Sequence, residues 1–324
     1  MEKFVMLDSH TLPDADFHQE KEILSAAGIE CVLAACKSVD EVVEAAKDAE
    51  YIGDNYFKIT DEVLSRLPKL KAVIRYGIGY DVVDVDACSR RKIALCNLPT
   101  YCVEDVATHA IALILDLVRK TTIFDRQVKK GNWDVGYGYA THRMSAKTLG
   151  LVGFGNIAKK LCHYAQAFDM QVLAYDPFIS VEKIKSFGAK KVELDELLAA
   201  ADIVSLHVPS TKDTIHMINA ANIAKMKDGV IIVNTSRGNL IDNKALSDAL
   251  ASGKVLAAGL DVIEGEPIKD PEHPLVKHDN TVVTPHSAYN SVEASDEQHT
   301  QVAKTVVCFS KGEIPFNTVN KAQL

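Results

Sequence analysis

The sequence predicts an α/β protein made of two doubly wound parallel-sheet domains joined by crossing helices. Short runs rich in Val, Ile and Leu alternate with amphipathic segments, the pattern of parallel strands and crossover helices. The alternation breaks near residue 101 and restarts at Leu149. The length, 324 residues, exceeds what one hydrophobic core usually organises. Two domains imply a cleft.

In the first half the strands are expected in "FVMLD", "ECVLAA", "YIGD", "KAVIRY" and "IALCN". Between them "DADFHQEKEILSAAG", "SVDEVVEAAKDA" and "TDEVLSRL" each open near a capping residue and an acidic first turn, the signature of a helix start. Tyr101 to about Lys130 has few breakers and predicts one long helix connecting the domains, followed by the Gly- and Tyr-rich loop "GNWDVGYGYATHR". The second series places strands in "LGLVG", "QVLAYD", "DIVSLHVP", "GVIIVNTS", "VLAAGLDV" and "TVVTPH", with helices such as "NIAKKLCHYAQAF" and "DNKALSDALASG" between them. A last helix, about Val292 to Ser310, is expected to pass back to the first unit. The expected division is therefore 1–100 with 291–324, and 101–290.

Composition narrows the function. A net charge of −8 provides no general basic footprint for nucleic acid or an anionic membrane, so an anionic ligand has to be held by local positive groups. Individual arginines become informative. The longest apolar stretch, "VATHAIALILDLV", is interrupted by His109 and Asp116 and is too short to span a bilayer. The start reads as a strand rather than a signal peptide. Seven cysteines, odd in number and without a C-x-x-C pair, argue against a disulfide framework and against a zinc site. Reduced thiols in cytoplasm, with no metal, are expected.

"LGLVGFGNIAKKL" carries the strongest local signal. Alone, G-x-G-x-x-[GA] is weak, but here a strand precedes Gly153, a helix follows Gly155, and a second strand ends in Asp176. Gly153 permits the tight turn, Gly155 lets backbone approach a pyrophosphate, and Ala158 is small enough for the helix to pack on the strand. The diphosphate would rest on the N–H groups and positive end of that helix. Asp176 would accept from ribose hydroxyls and repel a 2′-phosphate, which favours NAD over NADP. A βα turn that binds nothing is the plainer reading.

A second pair, "RYGIGYD", lacks a small residue at Val82 and an immediate helix, so it is a poor dinucleotide turn. Tyr76, Gly77, Ile78 and Gly79 would instead lie at the carboxyl edge of the first sheet, where backbone N–H groups can hold a small anion. Glycines present only for geometry are the alternative. Arg75 either adds to that anion site or is an ordinary exposed arginine.

Three further segments end late strands at one sheet edge: "NTSRGNLID" with Arg237, "GLDVIEGEP" with Asp261 and Glu266, and "VVTPHSAYNS" with His286. Arginine, carboxylate and histidine together suit carbonyl reduction. Each alone also suits a surface charge, a loop acid or a capping histidine.

Together with "RYGIGYDVVD", "NLPTYCVEDVATHAIALILDLVRK", "YDPF", "HVPST" and "HPL", these motifs resemble the D-isomer-specific 2-hydroxyacid dehydrogenases from about Lys71 to Ser291. The first 70 residues match only in general pattern. The resemblance implies a flavodoxin-like substrate domain and a Rossmann NAD-binding domain. It assigns the substrate carboxylate to Arg237, proton exchange to His286, and the partner of that histidine to Glu266, the glutamate directly before the proline. It places Asn156, Ile157, Asp176, His207, Pro209, Thr214, Thr235 and Asp261 around NAD, and a homodimer contact near Trp133. Tyr76, Tyr101 and Tyr289 either shape the substrate pocket or pack in core and rim.

The chemistry agrees with that assignment. Hydride delivery to a 2-keto acid develops charge on the carbonyl oxygen, so a placed proton donor lowers the barrier. A carboxylate beside the histidine favours its protonated form. An arginine fork holds a carboxylate through two parallel bonds and so selects the carbonyl face. Formate oxidation is disfavoured, because members specialised for it carry glutamine at the position of Glu266. The short form, without a regulatory domain, is expected. An NAD-responsive corepressor-like binding protein is the alternative from another class.

Overall fold

Alternating apolar runs close into two all-parallel sheets in the computed structural model, which describes residues 1–12 and 16–324. The chain splits into two units, Met1–Tyr101 with Ser291–Leu324, and Cys102–Asn290.

Unit 1 runs β1 (Glu2–Met6), α1 (His18–Ala26), β2 (Ile29–Leu33), α2 (Val39–Ala46), β3 (Tyr51–Asp54), α3 (Asp61–Ser65), β4 (Ala72–Arg75), α4 (Val85–Arg90) and β5 (Ala94–Cys96). The sheet order is β2-β1-β3-β4-β5, the flavodoxin-like arrangement. Strand periodicity sends Val5, Ile52, Val73 and Leu95 to one face, against Val42, Val63 and Ala87. Phe4, Met6, Tyr51 and Ile74 go to the other, against Leu24, Val302 and Val306. Both faces are covered, which is why these strands read as continuous apolar runs. The helix expected to open at Asp14 begins at His18, and Asp14 lies outside the described residues.

Unit 2 contains α5 (Val103–Arg119), α6 (Thr121–Lys129), β6 (Thr148–Val152), α7 (Asn156–Gln166), β7 (Gln171–Tyr175), α8 (Val181–Lys185), β8 (Lys190–Lys191), α9 (Leu194–Ala200), β9 (Ile203–Leu206), α10 (Ala220–Lys225), β10 (Val230–Asn234), α11 (Asn243–Ser252), β11 (Val255–Leu260) and β12 (Thr281–Val283). Its seven strands order as β12-β11-β10-β9-β6-β7-β8, a Rossmann sheet whose connection direction reverses between β6 and β9. Leu149, Leu151, Ile231 and Val233 pack with Ile114, Leu117 and Leu161 on one face, and Val204, Leu206 and Ile232 pack with Leu197, Ile223 and Leu246 on the other. α12 (Val292–Ser310) belongs to unit 1 and is capped by Ser291, whose hydroxyl accepts from Ala294 N–H at 2.9 Å.

The single helix expected over 101–130 is two helices. Lys120 adopts a left-handed conformation, φ 58°, between α5 and α6. Its buried ammonium donates to the carbonyls of Tyr137 (2.7 Å) and Tyr139 (2.6 Å), while Asp116 accepts from the Thr121 hydroxyl and from Thr122 N–H. These tertiary bonds settle the break. The two-residue edge strand β8 also went unanticipated. Among the described residues no helix is long and apolar enough to cross a membrane.

Candidate active site

The carboxyl ends of β10, β11 and β12, three neighbouring strands, carry Arg237, Asp261 with Glu266, and His286. The Arg237 turn is clipped by buried Asn234, whose Oδ1 accepts from Ser236 N–H (3.0 Å) and whose Nδ2 donates to the Arg237 carbonyl (2.8 Å). Ser236 Oγ donates to the Leu206 carbonyl at 2.7 Å, tying the turn to β9. Arg237 Nη1 donates to the Ser236 carbonyl at 2.9 Å. Gly238 permits a close approach: a Cβ there would lie 2.2 Å from Ile263 C and 2.3 Å from Glu264 N. The arginine turn thus rests on the backbone of the loop that carries the glutamate.

Within that loop Glu266 Oε2 accepts from Ile263 N–H (3.1 Å), and Oε1 meets His286 Nδ1 at 2.6 Å. Glu264 instead pairs with His216 Nε2 at 2.8 Å. His286 has φ 54°, an uncommon left-handed conformation for a side-chain-bearing residue. Its N–H donates to the Asp261 carbonyl at 2.8 Å. Asp261, fully buried, accepts from the Thr284 hydroxyl (2.6 Å), Ser287 N–H (2.9 Å) and Ala288 N–H (2.9 Å). The ring of Tyr289 stands edge-on to that of His286, 6.3 Å between centroids. With Nδ1 committed to a carboxylate, Nε2 is the ring nitrogen left for proton exchange. Sequence reading singled out neither Thr284 nor His109, which sits at 2.9 Å from the Thr284 hydroxyl.

At the switch between β6 and β9, Gly153 has φ 92°, and a Cβ on it would lie 2.6 Å from the His207 carbonyl oxygen. Gly155 caps α7 with no side-chain acceptor, and a Cβ on it would meet nothing within 4 Å. The first N–H groups of α7 thus have no side-chain cap and remain donors for a ligand. Asp176 Oδ2 accepts from Phe154 N–H (2.9 Å), and Oδ1 from Phe178 (2.9 Å) and Ile179 (3.2 Å) N–H. Asn156 is exposed and Ile157 packs at the edge of the core. The Thr214 hydroxyl donates to the Pro209 carbonyl at 2.7 Å, bracing the loop after β9. Thr235 Oγ1 and His207 Nδ1 are buried with no partner among the described residues. Buried polar atoms are rarely left unpaired without reason. An uncapped helix start at the switch point, with two unpaired polar atoms after the neighbouring strands β9 and β10, fits a dinucleotide.

His207 Nε2 sits 2.9 Å from Ser205 Oγ, and burial pushes its pKa down from 6.5 to about 4. Between those values the unfolded chain takes up a proton that the folded chain refuses. Stability is then complete above 6.5 and falls as pH drops toward 4, by at most about 1.4 kcal/mol per unit. Thermal melts across that window check this. The melting temperature of His207→Gln is expected to decline less steeply than that of the parent, and parallel slopes would reject the assignment.

In unit 1, Arg75 is buried rather than exposed, with Nη1 donating to the Tyr76 carbonyl at 2.8 Å. Tyr76 is 1% exposed, and its hydroxyl donates to Glu20 Oε1 at 2.8 Å. Tyr101 packs against the same cluster. Gly77 and Ile78 use their carbonyls to accept from Leu98 N–H (2.9 Å) and Asn97 Nδ2 (2.7 Å). The N–H groups of Ile78 and Gly79 make no hydrogen bond among the described residues.

Residues 111–288 match the family model for the D-isomer specific 2-hydroxyacid dehydrogenase NAD binding domain. The chain is 36% identical to a hydroxypyruvate reductase of Blautia hydrogenotrophica over 98% of its own length and 100% of the relative's. It is 39% identical to a D-3-phosphoglycerate dehydrogenase of Archaeoglobus fulgidus, over 90% of this chain but only 55% of the relative, so it spans about half the length of that protein. A solved D-lactate dehydrogenase from Aquifex aeolicus, complexed with NAD and lactic acid, superposes with a TM-score of 0.83 at 32% identity, covering 100% of this chain and 97% of that one. A glycine turn at the sheet's switch point, an Arg, Glu and His on adjacent strand ends, and these matches lead to one assignment: the chain belongs to the D-isomer-specific 2-hydroxyacid dehydrogenase family, and unit 2 carries its NAD-binding domain.

Proposed function

We propose that the protein is an NAD-dependent dehydrogenase of a small D-2-hydroxy acid or its 2-keto partner. The observation that carries this reading is the 2.6 Å contact between His286 Nδ1 and Glu266. Bound NADH supplies the hydride. Gly153, Gly155, Asn156 and Ile157 would receive its diphosphate at the start of α7; Asp176 would face the adenosine ribose. His207, Pro209, Thr214, Thr235 and Asp261 would line the rest.

In this reading Arg237 holds the substrate carboxylate, and within unit 1 the backbone N–H groups of Ile78 and Gly79 are assigned to a small anion. His286 gives a proton from Nε2 to the carbonyl oxygen as charge develops there, or takes it back in the reverse direction. Glu266 keeps the ring oriented through its contact with Nδ1. The exposed segment around Trp133 and Val135 is assigned to a homodimer contact.

The test is turnover of NADH with glyoxylate, pyruvate, hydroxypyruvate and branched or aromatic keto acids. Oxidation with at least one of them is expected, and silence across the panel would overturn the reading. With the preferred acid, Arg237→Lys is expected to raise KM about 10- to 100-fold, because a point charge replaces a two-pronged one. NADH affinity should stay unchanged. A KM within twofold of the parent would remove Arg237 from the substrate site.

A further inference from the structure

We infer that His109 is a positioning residue for His286, acting through Thr284 and Asp261. The inference builds on the reading of His286 as the proton-exchanging group.

His109 lies on α5, four residues before Leu113. The bare backbone of Gly259 in β11 admits that helix: a Cβ there would lie 3.1 Å from Leu113 Cβ and 3.2 Å from Leu117 Cδ1. α5 therefore sits tightly on β11 along the Leu113–Leu117 face. Residues four apart share a helix face. His109 consequently reaches the strand ends, where Asp261 stands two residues beyond Gly259 and Thr284 follows β12.

There the imidazole Nε2 is 2.9 Å from Thr284 Oγ1 and 3.6 Å from Asp261 Oδ1. Proton counting sets the direction of the bonds. The threonine hydroxyl has one proton, and it goes to Asp261 Oδ1 at 2.6 Å. Its oxygen then accepts from His109, so the histidine ring carries its proton on Nε2. Asp261 also collects the N–H groups of Ser287 and Ala288, and its carbonyl takes that of His286. The chain of bonds starts at His109 and ends on the catalytic residue and the two that follow it.

His286 is left-handed, a conformation that costs a side-chain-bearing residue energy and persists only where neighbours dictate it. Asp261 dictates it, and His109 with Thr284 fixes the aspartate. Without the imidazole donor, the hydroxyl is free to turn away from Asp261, and the loop of His286 loosens. The Arg237 turn is clipped separately, by Asn234 and by the bond from Ser236 to the Leu206 carbonyl, so the loss falls on turnover rather than on substrate binding.

The experiment compares His109→Leu, His109→Gln and Thr284→Val in the full chain with NADH and the preferred keto acid. His109→Leu is expected to lower kcat at least tenfold, with keto-acid KM within twofold of the parent. His109→Gln, whose amide can donate to Thr284, should recover most of that loss. The Leu/Val double variant should be no worse than either single one. Unchanged kcat in His109→Leu, no recovery in His109→Gln, or additive losses would each overturn the inference.

Amide hydrogen exchange provides a readout independent of turnover. Protection of Ser287 and Ala288 should fall at least tenfold in His109→Leu while that of β6 holds. Retained protection would overturn the positioning link. Lost protection in a protein that turns over no keto acid would keep the link and discard the dehydrogenase reading.

Discussion

His286→Gln is expected to lower kcat by about 10²- to 10⁴-fold, the range attributable to a placed general acid or base. The amide approximates the ring in size and keeps a polar group opposite Glu266, so NADH affinity and keto-acid KM should change little. The substitution removes the ring nitrogen assigned to proton exchange. Steady-state rates in both directions, with cofactor binding followed by fluorescence, check the split. A kcat within threefold of the parent would show that the proton comes from elsewhere. Glu266→Gln is the milder companion: the ring keeps a hydrogen-bond partner at Nδ1 but exchanges a charge-assisted bond for a neutral one.

Gly238→Ala is expected to damage the site through backbone alone. The added methyl would lie 2.2 Å from Ile263 C, and no flexible side chain is available to give way. The turn holding Arg237 must lift from the loop holding Glu266. Overpacking of this kind costs about 1–3 kcal/mol. A displacement near 1 Å in a catalytic constellation costs on the order of 10²-fold in rate. Both a lower melting temperature and a lower kcat/KM should appear, although the substitution alters no polar side chain. A variant with parental melting temperature and kinetics would mean that the two loops are not pressed together.

Much of the fold was legible because parallel strands are buried on both faces and so leave uninterrupted apolar runs. "YIGD", "KAVIRY" and "GVIIVNTS" contain β3, β4 and β10. The turn at Gly153 was legible because a left-handed, sterically crowded position admits little else. Other features had no local signature. Nothing in "VRKTTIF" announces that Lys120 breaks the helix, since bonds to a loop almost twenty residues away decide it. β8 is a pair of lysines without an apolar residue. The burial of Arg75 and the contact between His109 and Thr284 depend on how a helix or strand end is seated, which composition does not encode. Arg237, Glu266 and His286 were recognisable as residue types and by resemblance, and the choice between Glu264 and Glu266 turned on the neighbouring proline. In the structure the two glutamates have separate histidine partners.

Asp176 has a bearing on protein engineering. Retuning coenzyme choice in a fold of this kind starts with the acidic residue at the end of β7, exchanged for a smaller or cationic one. Here that carboxylate also holds Phe154 in the glycine turn and the peptide groups of Phe178 and Ile179. Such a swap would strand three donors at once, so a redesigned variant needs a replacement acceptor at this corner before any new coenzyme preference can be judged.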